Sequence, residues 1–217
     1  MKVYFLSDSP QQSGFGRLSN EIGVRLLQRG HQVRWGGLMY DGLAAHGLPS
    51  HVDALAGKDL WNTLTAIIMQ SPPDIVIVCQ DFPYLETMYR STRIDWSRIT
   101  FLGITPCDGT PIRKKWLDLA RDIDGLMTIS RFGVESFRQA GCHVGLCHPG
   151  VNAGEFKPAT LAEKTEVRAK AGIAASAFVI GMMAMNQGRK NIPATLAAFH
   201  EFSKDKPEAR LLLDMDK

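Results

Sequence analysis

The chain has 217 residues, 45% of them apolar, and 25 Lys and Arg against 22 Asp and Glu give a formal net charge of +3. That length holds one large domain, or one domain and part of another, with enough apolar residues for a sizeable core. Acids and bases are mixed along the sequence, which excludes a nucleic-acid footprint, and no run approaches the ~20 apolar residues of a membrane span.

Met1 to Ser7 (MKVYFLS) is too short an apolar run for a signal peptide and meets Asp8 at once. It reads as a first strand, Lys2 to Ser7, and places the protein in the cytoplasm. A loop containing Gly14 and Gly16 follows. Arg17 to Gln28 carries a helical stripe of Leu18, Ile22, Leu26 and Leu27, ended by Gly30. His31 to Trp35 is a short second strand, and Asp59 to Met69 a helix stopped by Pro72 and Pro73. Asp74 to Cys79 (DIVIVC) is the β-branched run expected of a strand covered on both faces. Ile99 to Ile104, Leu126 to Ile129 and His143 to Cys147 are further strands, with helices predicted over Pro111 to Arg121 and Arg131 to Ala140.

This alternation predicts an α/β fold: a Rossmann-like open parallel sheet with helices on both faces over residues 1–150. Ligands then collect at the carboxyl ends of the strands. Residues 151–176, with a turn-rich start and a solvated helix over Pro158 to Ala171, form the interdomain linker. Within 177–217, Phe178 to Met185 (FVIGMMAM) and Ala209 to Asp214 read as strands around a helix from Ile192 to Phe202. This is an incomplete β-α-β unit of a second Rossmann-like domain. Its apolar strands have few neighbours, so the unit is expected to be mobile, shielded by neighbours or swapped into another copy by self-association.

Several constellations carry chemistry. Ser13 to Ser19 lies between the first strand and helix, where glycines let a ligand approach and the helix start offers N–H donors to an anion. A glycine-eased turn explains it equally well. Ser19 replaces the third glycine of a dinucleotide fingerprint, and no acid ends the second strand, which disfavours a nicotinamide enzyme. Asp108, after a buried strand, can accept a proton, bond a sugar hydroxyl or cap the next helix. Asp81 occupies the same level after the preceding strand. Arg113-Lys114-Lys115-Trp116 fits a weak membrane-surface contact or an ordinary solvated face. Arg189 and Lys190, in a strand-to-helix turn, suit a diphosphate, against a plain charged turn. Cys79, Cys107, Cys142 and Cys147 read as reduced core thiols. Cys142-His143 and Cys147-His148 alternate across a strand, poor geometry for a metal, so none is expected.

These residues resemble the retaining GT-B glycosyltransferases of the large family-four ("group 1") set. The likeness is carried by Gly14 to Gly16, by Ile129-Ser130-Arg131-Phe132-Gly133, by His148-Pro149-Gly150-Val151-Asn152 with Phe156-Lys157-Pro158, and by Asn186 to Asn191 through Ala198-Phe199. The resemblance implies hexosyltransferase-like transfer from a nucleotide-diphosphate sugar to a hydroxyl acceptor, with retention and without a cofactor or metal. It assigns donor phosphates to Gly14, Gly16, Arg189 and Lys190, the acceptor side to Asp81, Ser130 and Arg131, and the catalytic position to Asp108, where many members carry His. Met185 stands where the family often has a phosphate-binding arginine, and Asn152 replaces an aspartate. The family's paired glutamates are absent from this sequence, so the 217 residues alone are expected to be a truncated and inactive part. The alternative is a non-catalytic sugar- or nucleotide-binding module with a partner-engaging C-terminal arm.

Overall fold

Short β-branched runs bounded by polar turns become the strands of one parallel sheet, and the amphipathic stretches between them its crossover helices. The computed structural model describes residues 1–11, 13–42 and 47–215. The chain divides into two compact units, Met1–Gly150 and Val151–Lys217.

In the first unit the strands are β1 (Lys2–Ser7), β2 (Gln32–Leu38), β3 (Val52–Leu55), β4 (Ile75–Cys79), β5 (Thr100–Thr105), β6 (Gly125–Thr128) and β7 (Gly145–Leu146). The helices are α1 (Gly14–Gln28), α2 (Leu60–Gln70), α3 (Phe82–Ser91), α4 (Lys114–Asp122) and α5 (Arg131–Gln139). The sheet order is β3-β2-β1-β4-β5-β6-β7 and every pairing is parallel. The winding therefore reverses between β1 and β4, which is the fold's topological switch point.

Strand alternation builds two cores. Tyr4 and Leu6 of β1 face a cluster with Leu64, Leu85, Leu119 and Phe137 from α2 to α5. Val3 and Phe5 face the other way, with Trp35, Ile77 and Cys79 against Leu18, Ile22 and Leu26 of α1. The sheet is thus covered on both faces, as its apolar runs require.

Three details depart from expectation. β2 runs on to Leu38 because Gly36 and Gly37 are strand residues; a Cβ on Gly36 would sit 2.8 Å from the Leu55 side chain, and one on Gly37 would strike the Ser9 carbonyl. β3 was not anticipated, because Asp53 interrupts its apolar pattern. The whole of α3 was also missed, although Phe82, Leu85 and Met88 form a buried stripe.

The second unit holds α6 (Leu161–Lys170), β8 (Phe178–Met183), α7 (Ile192–Ser203) and β9 (Ala209–Asp214). Thr160 and Glu163 close a capping box at the start of α6. The Arg168 guanidinium donates to the carbonyls of Ala174, Ala175 and Ala177 at 3.2, 2.7 and 2.9 Å, which ties α6 to the entry of β8. β8 and β9 pair in parallel from Phe178 opposite Ala209 to Met183 opposite Asp214. Among the described residues no helix is long and apolar enough to cross a membrane.

Candidate functional site

At the switch point the chain leaves β1 and β4 in opposite directions, so a crevice opens between two loops at the carboxyl edge of the sheet. A string of side chains crosses it. Gln80, buried at the end of β4, donates its amide N–H to Asp8 Oδ1, while its Oε1 accepts the Asp81 backbone N–H at 2.9 Å. Asp8 Oδ2 accepts from the Ser13 hydroxyl at 2.7 Å. Ser13 is the N-cap of α1, and its Oγ accepts the Gly16 N–H at 3.0 Å. This cap starts α1 at Gly14, one turn earlier than its apolar stripe suggests.

The two loop glycines differ. A Cβ on Gly16 would collide with the Gln11 carbonyl, so glycine there is a packing requirement. A Cβ on Gly14 would meet no described atom within 4 Å beyond its chain neighbours and its own helix backbone, and this exposed flank is where another molecule can come close to the backbone.

Asp81 precedes α3 as its N-cap residue, yet its side chain makes no capping bond. Its carboxyl is pushed above the usual carboxylate range by partial burial first, then by the charges of Asp108 and Asp8. Three acids from three neighbouring loops thus share one field. Asp108 is exposed in the loop between β5 and α4. It does not cap that helix, since α4 begins after Arg113. The capping alternative falls for both acids, and both keep free carboxylate chemistry.

Ser130 spends its hydroxyl as the N-cap of α5, accepting the Gly133 N–H at 3.1 Å. Arg131 is exposed in the first turn beyond it. A Cβ on Gly133 would stand 2.6 Å from Thr128 Oγ1 and 3.0 Å from Cys107 Cβ, so the start of α5 presses on the loop that carries Asp108.

The basic stretch at α4 is a folded surface. Trp116 turns inward and stacks on Phe82 at 4.7 Å, with the Arg113 guanidinium 5.0 Å above its ring. Lys114 pairs with Asp118 at 2.8 Å and Lys115 with Glu86 at 2.7 Å. These contacts suit an ordinary solvated face, on which the Lys114 side chain is 89% exposed. Among the described residues no three His, Cys, Asp or Glu side chains gather closely enough to hold a metal. Burial, with the charges of Cys147 and Asp8, pushes the Cys79 thiol up to about 12, which suits an inert core position.

In the second unit, Gly188–Lys190 form a single 3₁₀ turn after the carboxyl end of β8. Arg189 is exposed and steadied by Gln187, whose Oε1 accepts its Nε–H at 3.0 Å; Lys190 is half-buried. Asn191, at φ 47°, turns the chain into α7. The turn sets two cations beside a helix start, a suitable place for an anion.

Sequence reasoning assigned no role to Asp8 and did not foresee the link from Gln80 through Asp8 to Ser13. Asp8 and Gln80 directly follow the two central strands, a place that could have drawn attention to them.

No family model matches the sequence, and no curated protein sequence matches it. Solved structures do. A glycosyltransferase from Rickettsia africae ESF-5 matches 98% of this chain and 68% of its own, with a TM-score of 0.63 and 11% identity. An alpha-glucosyltransferase in complex with UDP and a 13-mer DNA matches 99% of this chain and 56% of its own, with a TM-score of 0.54 and 11% identity. An alpha-glucosyltransferase in complex with UDP-glucose and DNA containing an abasic site matches 100% and 57%, with a TM-score of 0.50 and 12% identity. The chain spans little more than half the length of the alpha-glucosyltransferases. At such identities the likeness is one of architecture alone: a Rossmann-like first domain followed by a β-α-β unit of a second, a GT-B type of fold.

Proposed function

We propose that this protein belongs to a hexosyl transfer system that moves a sugar from a nucleotide-diphosphate sugar to an acceptor hydroxyl, with retention at the anomeric carbon. The observation that carries the reading is a likeness to a glycosyltransferase over 98% of the chain, with the unusual polar residues at the carboxyl edge where such a sheet binds ligands. Structures of the same fold in complex with UDP or UDP-glucose support a nucleotide-sugar donor.

Each unit contributes its own chemistry. In the second, the Arg189 fork and the Lys190 ammonium offset the charge that grows on the departing diphosphate. In the first, the open flank of Gly14 admits the donor's phosphates. Asp81 and Asp108 accept hydrogen bonds from the acceptor's hydroxyls, with Asp108 assigned the catalytic position. Arg131, exposed beside the capped start of α5, borders the acceptor side.

Binding and transfer measured over a panel of nucleotide sugars test this. A Lys190→Ala variant is expected to lose about 100-fold in turnover, the effect of deleting one charge-stabilising donor. It should also bind the diphosphate more weakly. Unchanged binding and turnover in that variant would remove the assignment of the turn, and no affinity for any nucleotide sugar would remove the reading as a whole.

A further inference from the structure

The geometry points to Gln80 and Asp8 as a positioning pair that holds the glycine loop after β1 and the acidic loop after β4 in one fixed arrangement. The identity of the ligands served by the two loops rests on the transferase reading. The pairing itself rests on hydrogen bonds alone.

Adjacent parallel strands bring the ends of β1 and β4 together, with Leu6 opposite Val78. Beyond those ends the backbones diverge to opposite faces, so only side chains can span the gap. Gln80 does so with both ends of its amide committed: one donates to Asp8 and the other accepts from Asp81 N–H. Asp8 commits both oxygens as well, one to Gln80 and one to Ser13. Ser13 passes the connection to Gly16 N–H. The path is continuous from the backbone of Asp81, whose carboxyl is free, to the turn that leaves Gly14 open. Each residue type is specified by this role. A carboxylate at Asp8 accepts twice, and the amide of Gln80 can donate to it with one end while accepting from the next N–H with the other.

The alternative is that Gln80 merely fills space under the loops. Space filling would not depend on which partner donates. Nor would it reach Gly16, which Gln80 does not bond directly.

Amide hydrogen exchange on the 217-residue chain separates the two. In Gln80→Ala, exchange is expected to quicken at least fivefold at the Gly16 and Asp81 amides, while Phe5 and Val78 in the central strands stay within twofold of the parent. Gln80→Glu sets two carboxylates against each other and should free Gly16 in the same way. Adding Asp8→Asn to Gln80→Glu restores a donor opposite an acceptor and should return Gly16 to within twofold of the parent. Gly16 exchange unchanged in the single variants, or no recovery in a folded double variant, would overturn the pairing. Should Gln80→Ala fail to fold, the charge-swap pair still decides. In titrations with UDP-glucose as probe, the single Gln80→Glu variant should bind roughly tenfold more weakly, regained in the double. If the parent chain binds no nucleotide sugar, the transferase reading fails, while the exchange measurement still upholds or overturns the pair.

Discussion

The same substitution at two positions of one loop should have opposite effects. At Gly16, an added methyl meets backbone: it would overlap the Gln11 carbonyl oxygen and stand 3.1 Å from its carbon and 3.3 Å from Ser13 Oγ. Backbone cannot rotate aside, so the loop must shift. Overpacking of this kind costs about 1–3 kcal/mol. The shift also strains the Ser13 cap, worth about 0.5–2 kcal/mol. Against this, Gly→Ala in a helix returns up to about 1 kcal/mol. A net loss of about 1–3 kcal/mol is expected for Gly16→Ala, which at this chain size lowers Tm by about 2–12 °C. At Gly14 an added Cβ meets no described atom within 4 Å beyond its chain neighbours and its own helix backbone, so only the helix gain remains, and Gly14→Ala should leave Tm unchanged or raise it by up to about 4 °C. Thermal and urea melts of the two variants measure this. Titration with UDP adds the functional half: Gly14→Ala should weaken binding despite its stability, because the methyl occupies the flank proposed for the donor. Equal shifts of the same sign in both variants would refute the steric argument. Undiminished UDP affinity in Gly14→Ala would move the donor away from this loop.

Two further outcomes follow from charged groups. The folded-state value of Asp81 is raised, so its contribution to stability is full below the unfolded value of about 3.9 and is lost as pH rises through the folded value. Asp81→Asn should therefore raise Tm at pH 7 and give no difference near pH 3; equal effects at both pH values would refute this. Asp53, 5% exposed, accepts from Tyr4 Oη at 3.0 Å and Arg34 Nε at 2.7 Å, with His51 Nε2 at 3.1 Å. Asp53→Ala leaves the buried Tyr4 hydroxyl without its acceptor, at about 1–3 kcal/mol. It also removes an ion pair whose arginine side chain is 42% exposed, worth no more than about 1 kcal/mol after screening. Tyr4→Phe should cost about 1 kcal/mol, and the double variant less than the two together. Strict additivity in urea melts would count against the shared hydrogen bond.

The parallel sheet was legible because its strands carry their own signal: Ile75–Cys79 is β-branched and apolar without a break. β3 was not, since an acid inside a strand makes sense only once Arg34 and Tyr4 are placed beside it. α3 was hidden by Pro83 in its first turn, which reads as a break although that position tolerates proline. For the site, Asp81 and Asp108 could be picked out because a parallel sheet presents its strand ends to ligands. The link between Gln80 and Asp8 could not, since its partners lie 72 residues apart and neither carries a local pattern. Ser130 was noticed for its motif, but its hydroxyl is spent on Gly133, a use that depends on where the helix begins.

β1 lies inside the sheet, with β2 on one edge and β4 on the other. β1 can pair with β2 early, but the partner on its other side is distant: the Lys2 backbone bonds Asp74, 72 residues later. At the usual pace of synthesis that interval is on the order of ten seconds, during which an apolar ribbon stands with an open edge. We predict that a fragment ending at Pro73 stays unfolded or aggregates while one ending at Gly150 folds, and a folded monomeric short fragment by circular dichroism would refute it. An interior strand built from segments so far apart makes the arrival of β4 the step that closes the open edge of β1.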